Sequence, residues 1–281
     1  MLASMGPAQF NWLYTNTGAP STTAPGTSIT PGATNAEGAW TQIASSANIA
    51  QHVYGIQIWI SGGNTTTADK SQLLDLGTDA AGGTAWQAVI SNICCGSSGF
   101  SLDGGYVYYF PLFIKSGSAV AVRIQGSNGT AGTVRVAATF YGQPSDIHEL
   151  KYGRYSETIG AITNSGGVSF TPANSALGTT WTSLGTTTRN LWWWQVCPQI
   201  SNGTITALIY YIDLAWGDTS NRHIIISNAV LYVTGTVEKV NMGLNLTGYC
   251  DVPAGATIYI RGGCSGTAVP GFNATAVAIG G

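Results

Sequence analysis

The chain is a succession of short runs in which apolar and polar positions alternate. Val53-Tyr-Gly-Ile-Gln-Ile-Trp-Ile60, Ala119-Val-Ala-Val-Arg-Ile124, Thr133-Val-Arg-Val-Ala-Ala-Thr-Phe140, Ala229-Val-Leu-Tyr-Val233 and Ala256-Thr-Ile-Tyr-Ile260 are the clearest. A period of two places successive side chains on opposite faces, the signature of a half-buried strand. The runs are rich in Val, Ile, Thr, Tyr and Trp, which pack well on a pleated surface. Turn signals separate them: Ser61-Gly-Gly-Asn64, Gly82-Gly83, Asn128-Gly129 and Asn202-Gly203. No window of helical length shows a 3.6-residue period free of Gly. The pattern predicts an all-β protein.

The pattern also occurs twice. Gly26-Thr-Ser-Ile-Thr-Pro31 matches Gly167-Val-Ser-Phe-Thr-Pro172, and Trp40-Thr-Gln-Ile43 matches Trp181-Thr-Ser-Leu184. Further along, Leu74-Asp75-Leu76 matches Ile212-Asp213-Leu214, Val89-Ile-Ser-Asn92 matches Ile225-Ile-Ser-Asn228, and Arg123 falls on Arg261. The matches keep one order along the whole length, with slips of a few residues such as loop insertions produce. Two copies of one module follow, with boundaries 21–142 and 160–281. Residues 143–159 hold Asp146, Glu149, Lys151, Arg154 and Glu157 and read as a charged linker, a place for a short helix or an inter-domain contact. Residues 1–20 read as an N-terminal arm. A module of this length, carrying about eight strands, suits a two-sheet sandwich; a jelly-roll-like order comes first, an immunoglobulin-like Greek key second.

Composition narrows the class. Charged residues are only 8% of the 281, against roughly a quarter in an ordinary soluble domain. A chain this neutral suits burial against neighbours better than dispersion as a free monomer. The formal net charge is −2 and no basic run exists, so nucleic-acid binding lacks its electrostatic footprint. No apolar stretch is long enough for a transmembrane helix, which argues against membrane insertion. Met1 to Trp12 show no basic, then apolar, secretion-signal pattern.

Chemistry-bearing residues are sparse. His52, His148 and His223 have no partner at metal-ligand or triad spacing. Asp75 and Asp213 correspond between copies; a strand-end aspartate holding a turn is favoured over a hydrolytic carboxylate pair. Asp69, Asp75, Asp79 and Asp103 follow no calcium-loop spacing. The sequons at Asn64, Asn128, Asn202, Asn245 and Asn273 arise from composition. Cys94, Cys95, Cys197, Cys250 and Cys264 fit no metal pattern; buried free thiols are favoured, and Cys250–Cys264 is the candidate disulfide. No catalytic, cofactor or metal residue is assigned. Aromatic clusters are the sharpest feature. Trp192, Trp193 and Trp194, with Tyr106, Tyr108 and Tyr210, are expected in core first, then as a subunit interface or a glycan platform. Since both faces of the Trp192–Trp194 strand carry Trp, at least one must meet something other than solvent; two buried faces would mean sandwich core on one side and a neighbour on the other.

The run Leu73-Leu-Asp-Leu-Gly-Thr-Asp-Ala-Ala-Gly82, then Val89-Ile-Ser-Asn-Ile93, Tyr109-Phe-Pro-Leu-Phe-Ile-Lys-Ser-Gly117 and Ala121-Val-Arg123, resembles tailed-bacteriophage virion proteins with tandem β-sandwich modules. The resemblance implies a structural protein of the particle: a capsid decoration, head fibre or tail fibre component, assembled in the host cytoplasm, and not an enzyme. Its implied partners are other virion proteins of capsid, tail or neck and further copies of itself, a trimer among the options. A host-glycan-binding adhesion module is the alternative, and a polysaccharide depolymerase ranks third.

Overall fold

The computed structural model describes residues 11–15, 26–62, 72–95, 106–126, 133–143, 152–160, 167–200, 208–233, 240–241, 246–267 and 272–281. These form nineteen antiparallel strands in four sheets. His148, Asp69, Asp103, Asn64, Asn128, Asn202 and Asn245 lie outside the described residues.

The first nine strands are β1 (Asn11–Thr15), β2 (Thr27–Ile29), β3 (Thr41–Ala44), β4 (His52–Gly62), β5 (Gln72–Asp79), β6 (Gln87–Cys94), β7 (Tyr106–Phe110), β8 (Ala119–Gly126) and β9 (Val134–Gln143). One sheet runs β1-β9-β4-β7, with β2 also on β9, and the other runs β3-β8-β5-β6. From β2 onward this is the strand order of a jelly roll. Ile29, Ile56, Ile58, Ile60, Leu74, Leu76, Val122 and Ile124 are fully buried between the sheets.

The remaining strands are β10 (Tyr155–Ile159), β11 (Val168–Phe170), β12 (Thr182–Thr186), β13 (Leu191–Ile200), β14 (Leu208–Gly217), β15 (Arg222–Val233), β16 (Val240–Asn241), β17 (Thr247–Val252), β18 (Thr257–Cys264) and β19 (Phe272–Gly280). Their sheets run β10-β19-β13-β17, with β11 on β19, and β12-β18-β14-β15-β16. Apart from the short addition of β16, the order repeats that of the first sandwich. The register repeats as well: Asp75 faces Arg123 as Asp213 faces Arg261, and Gln57 faces Thr139 as Gln195 faces Val277.

The ends of the modules differ from the sequence reading. β1 lies within the expected arm and pairs with β9 from Asn11↔Gly142 to Thr15↔Ala138. β10 lies within the expected linker and pairs with β19 from Tyr155↔Gly280 to Ile159↔Ala276. Each sandwich therefore opens with an extra strand on its last one. The five residues of β10 are too short to show a period, and the charge around them hid a strand. Glu157 is held there by the Thr188 amide, which donates to both carboxylate oxygens at 2.9 and 3.0 Å.

The two sandwiches meet edge on face. β6 and β7 end their respective sheets on one side of the first sandwich. That side packs against the outer face of the β10-β19-β13-β17 sheet. Phe110 meets Trp193 edge-on at 5.7 Å. The Thr275 hydroxyl donates to Cys94 Sγ at 3.6 Å, the Gln72 amide donates to Gln199 Oε1 at 3.1 Å, and the Ser156 hydroxyl donates to the Val89 carbonyl. β19 is consequently buried along its whole length.

Candidate functional site

One polar cluster is built twice. In β6, Ser91 and Asn92 oppose the single residue Asp75 of β5, a β-bulge between the pairs Leu74↔Ile93 and Leu76↔Ile90. The bulge puts Asn92 at φ 58°, in the left-handed region that Asn tolerates better than most residues. Its amide has no ladder partner and donates to Asp75 Oδ1 at 2.7 Å. The other carboxylate oxygen accepts Arg123 Nε at 2.9 Å. The guanidinium lies 4.4 Å over the ring of Trp40. In the second sandwich Asn228 has φ 49° and donates to Asp213 Oδ1 at 2.7 Å. Arg261 Nε donates to Asp213 Oδ2 at 2.9 Å, with its guanidinium 4.4 Å over Trp181. The paired aspartates thus hold a mid-strand bulge rather than a strand-end turn, and the arginines lie half-buried beneath tryptophan.

The copies differ at one corner of this cluster. Glu37 adds a second carboxylate to Arg123, whereas among the described residues Arg261 has the Gly178 carbonyl, at 3.3 Å, in that place. Burial raises the Glu37 carboxyl above its ordinary value, Arg123 opposes the rise, and Asp75 adds to it. Asp75 and Asp213 are each committed to an arginine and a backbone amide, so the hydrolytic-pair reading finds no free carboxylates there.

The aromatic residues singled out in the sequence are interior. Trp193, Trp194, Tyr106, Tyr108 and Tyr210 are fully buried and Trp192 is 6% exposed, so none offers an open ring face to a sugar. Trp194 Nε1 donates to the Cys250 carbonyl at 3.1 Å, and the Tyr108 hydroxyl donates to the Cys94 carbonyl at 2.7 Å. Tyr210 packs on Phe272 at 4.9 Å. Both faces of β13 are covered, and the neighbour on the outer side is the other module of the same chain. His52 and His223 are likewise in packing contacts, on Phe113 at 5.4 Å and on Trp216 at 4.6 Å.

All five cysteines are free thiols. The Cys250–Cys264 bridge is not formed: Cys250 is on β17 and Cys264 on β18, in different sheets. Cys264 Sγ instead has the Gly266 and Ala173 carbonyls within hydrogen-bond reach, at 3.0 and 3.3 Å, for its one proton. Cys94, Cys95 and Cys197 are buried at or beside the contact between sandwiches. Burial pushes the Cys94 thiol up to about 12 and raises Cys95 and Cys197 as well. Among the described residues no group of three His, Cys, Asp or Glu is placed to hold a metal ion. No helix among them is long and apolar enough to cross a membrane.

The open aromatic surface lies elsewhere, on the outer face of the β1-β9-β4-β7 sheet. Trp59 is 47% exposed. The Tyr141 hydroxyl donates to Gln57 Oε1 at 2.6 Å, and Tyr109 meets Tyr141 edge-on at 5.9 Å. The Tyr109 ring lies over Gly55, where a Cβ would come within 2.5 Å of its hydroxyl. Beyond Tyr109, Tyr249 of the second sandwich is 57% exposed and stacks on Trp192 at 6.3 Å. A cleft of about 420 Å³ beside that pair is lined by Asn190, Trp192, Asp251 and Pro253 among others. The Val53–Ile60 alternation carried the signal for this face, since Gln57 and Trp59 fall opposite Ile56, Ile58 and Ile60.

No family model and no curated protein matches the chain. Solved structures similar to it include PNGase F, a glycosylasparaginase from Flavobacterium meningosepticum (11% identity, 87% of this chain and 89% of that one, TM-score 0.34). Others are the PBSX exported protein XepA (9%, 90% and 85%, TM-score 0.23) and the CBM22-1–CBM22-2 tandem of Xyn10C from Paenibacillus barcinonensis (9%, 85% and 82%, TM-score 0.24). Because an enzyme stands among these neighbours, the expectation that the chain is not an enzyme is withdrawn. Likeness at this level assigns neither an activity nor a substrate.

Proposed function

We propose that the chain is a structural component of a bacteriophage particle, a surface decoration, fibre or tail-associated protein that assembles through its sandwich faces. The supporting observation is the exposed Trp59, beside the half-buried Tyr109 and Tyr141, on a chain with only 22 acidic and basic residues. Large apolar surface rimmed by polar groups marks an interaction site. The sequence resemblance to phage virion proteins supplies the context. Mass spectrometry of density-purified particles from a phage encoding the chain tests this. The chain is expected in the particle band in stoichiometric amount. Recovery solely in the soluble fraction of the lysate overturns the reading.

A second reading rests on the composition of the same face. The exposed Trp59 ring beside the Gln57 amide is the surface chemistry that stacks on sugar rings and bonds their hydroxyls. Host-surface polysaccharide should then quench Trp59 fluorescence, and Trp59→Ala should abolish retention on that polysaccharide. Equal retention of the variant removes this reading.

A further inference from the structure

The contact between the two sandwiches is heterologous: a side of the first meets a face of the second. Such a contact uses two different surfaces, so it leaves one of each unpaired. The second sandwich still has its β15–β17 side, which corresponds to the docked β6–β7 side except for β16, paired at Tyr232 and Val233 of β15. The first still has the outer face of β1, β9 and β4, which corresponds to the receiving face of β10, β19 and β13.

The repeated register maps these surfaces residue by residue. At the internal contact, Cys94 sits over the ladder pair Cys197↔Thr275, to whose hydroxyl it is bonded. Cys94 faces Leu73 as Val230 faces Tyr211, so Val230 is its counterpart on the free side. The counterpart of Cys197↔Thr275 on the free face is Trp59↔Ala137. Val230 is 45% exposed and Trp59 47%, two of the five large hydrophobic residues exposed among those described. Ile224, 46% exposed, lies on the same strand as Val230. The aromatic pair of the internal contact also maps consistently. Phe110 corresponds to Gly248 and Trp193 to Gly55, so both large partners are replaced together by glycine.

We propose that this face is a docking surface for a second copy of the chain, with Val230 of one molecule seated over Trp59 and Ala137 of the next. The occupant follows from continuity with the internal contact: the register fixes where a further module of this kind would sit, and the exposed apolar residues lie at those positions. The assembly extends head to tail, module after module, closing into a ring or running on as a filament according to the rotation at each step. The inference deepens the particle reading by naming the occupant of the same face, its test on the purified chain fails separately from the chain's absence in the particle, and it competes with the glycan reading for that face.

Sedimentation velocity over a range of concentrations tests it. The wild-type chain should self-associate. Trp59→Asp and Val230→Asp should each weaken association about thirtyfold or more, as loss of a central interface residue does. Mixing is the deciding arm. The Trp59→Asp chain keeps its docking side and the Val230→Asp chain keeps its receiving face, so an equimolar mixture should form a heterodimer and stop there. Ala137→Glu, with circular dichroism of every variant, separates lost association from lost folding. A wild-type chain that stays monomeric overturns the proposal. So does a Val230→Asp chain that associates like wild type, or a mixture that forms no heterodimer.

Discussion

Replacing Asp213 by alanine should cost more stability than the same change at Asp75, although the two residues hold identical bulges. Asp213 is 1% exposed and supports two partners, the Asn228 amide at 2.7 Å and the Arg261 guanidinium. Loss of the acceptor leaves a part-buried amide unsatisfied, about 1–2 kcal/mol. Breaking a fully buried ion pair from one side costs about 3–5 kcal/mol, but the Arg261 side chain is 24% exposed and keeps the Trp181 face, so about 1–2 kcal/mol is appropriate here. The sum is about 2–4 kcal/mol. At Asp75 the amide loss is the same, yet Arg123 keeps the Glu37 carboxylate, and the total falls to about 1–2 kcal/mol. Urea unfolding followed by tryptophan fluorescence and far-ultraviolet circular dichroism measures both. Glu37→Gln combined with Asp75→Ala should bring the first module's loss up to that of the second. If Asp75→Ala alone costs as much as Asp213→Ala, or if both fall within about 0.5 kcal/mol of wild type, the bulge and its ion pair are not what holds these strands.

Three further outcomes follow from particular contacts. Trp181→Ala removes a half-buried ring and its stacking on Arg261, and should lower stability by about 1–3 kcal/mol in the same urea assay. The Ala81 and Ala85 amides, each 2.9 Å from the carboxylate, hold Asp79 below its ordinary 3.8. Its contribution is therefore present above pH 3.8 and lost as pH falls through the lower folded value, so the midpoint difference between wild type and Asp79→Ala should shrink on acidification; a pH-independent difference refutes this. In thiol labelling of the native chain Cys250 should react first, with Cys94, Cys95, Cys197 and Cys264 protected until unfolding, because they are buried and, at Cys94, burial suppresses the thiolate.

Period-two runs and their repetition made the sandwich pair legible in the sequence, because alternation maps directly onto the two faces of a strand. The repeated Ile-Ser-Asn and Leu/Ile-Asp-Leu segments were legible as matches but not as a mechanism. Only the register shows that Asn92 and Asn228 are bulge residues whose amides the aspartates capture. β1 and β10 are not legible in the sequence because five residues give too little pattern, and β10 is flanked by charge. The densest aromatic cluster, Trp192 to Trp194, does not mark the aromatic surface, because density there reflects burial on both faces of β13. The open ring is Trp59, on a strand whose other face is isoleucine. Which face of a strand meets water depends on how the modules dock, and that long-range arrangement leaves no local signature.

As proposed, the chain is an assembly subunit whose Trp59 face is covered by another module. An electron cryomicroscopy map of the phage particle that carries it tests this most directly. The account predicts density for both jelly rolls in the particle, with the face at Trp59, Tyr109 and Tyr141 buried against the β15–β17 side of a neighbouring copy. A particle that lacks the chain, or that holds it with Trp59 facing solvent, contradicts the account.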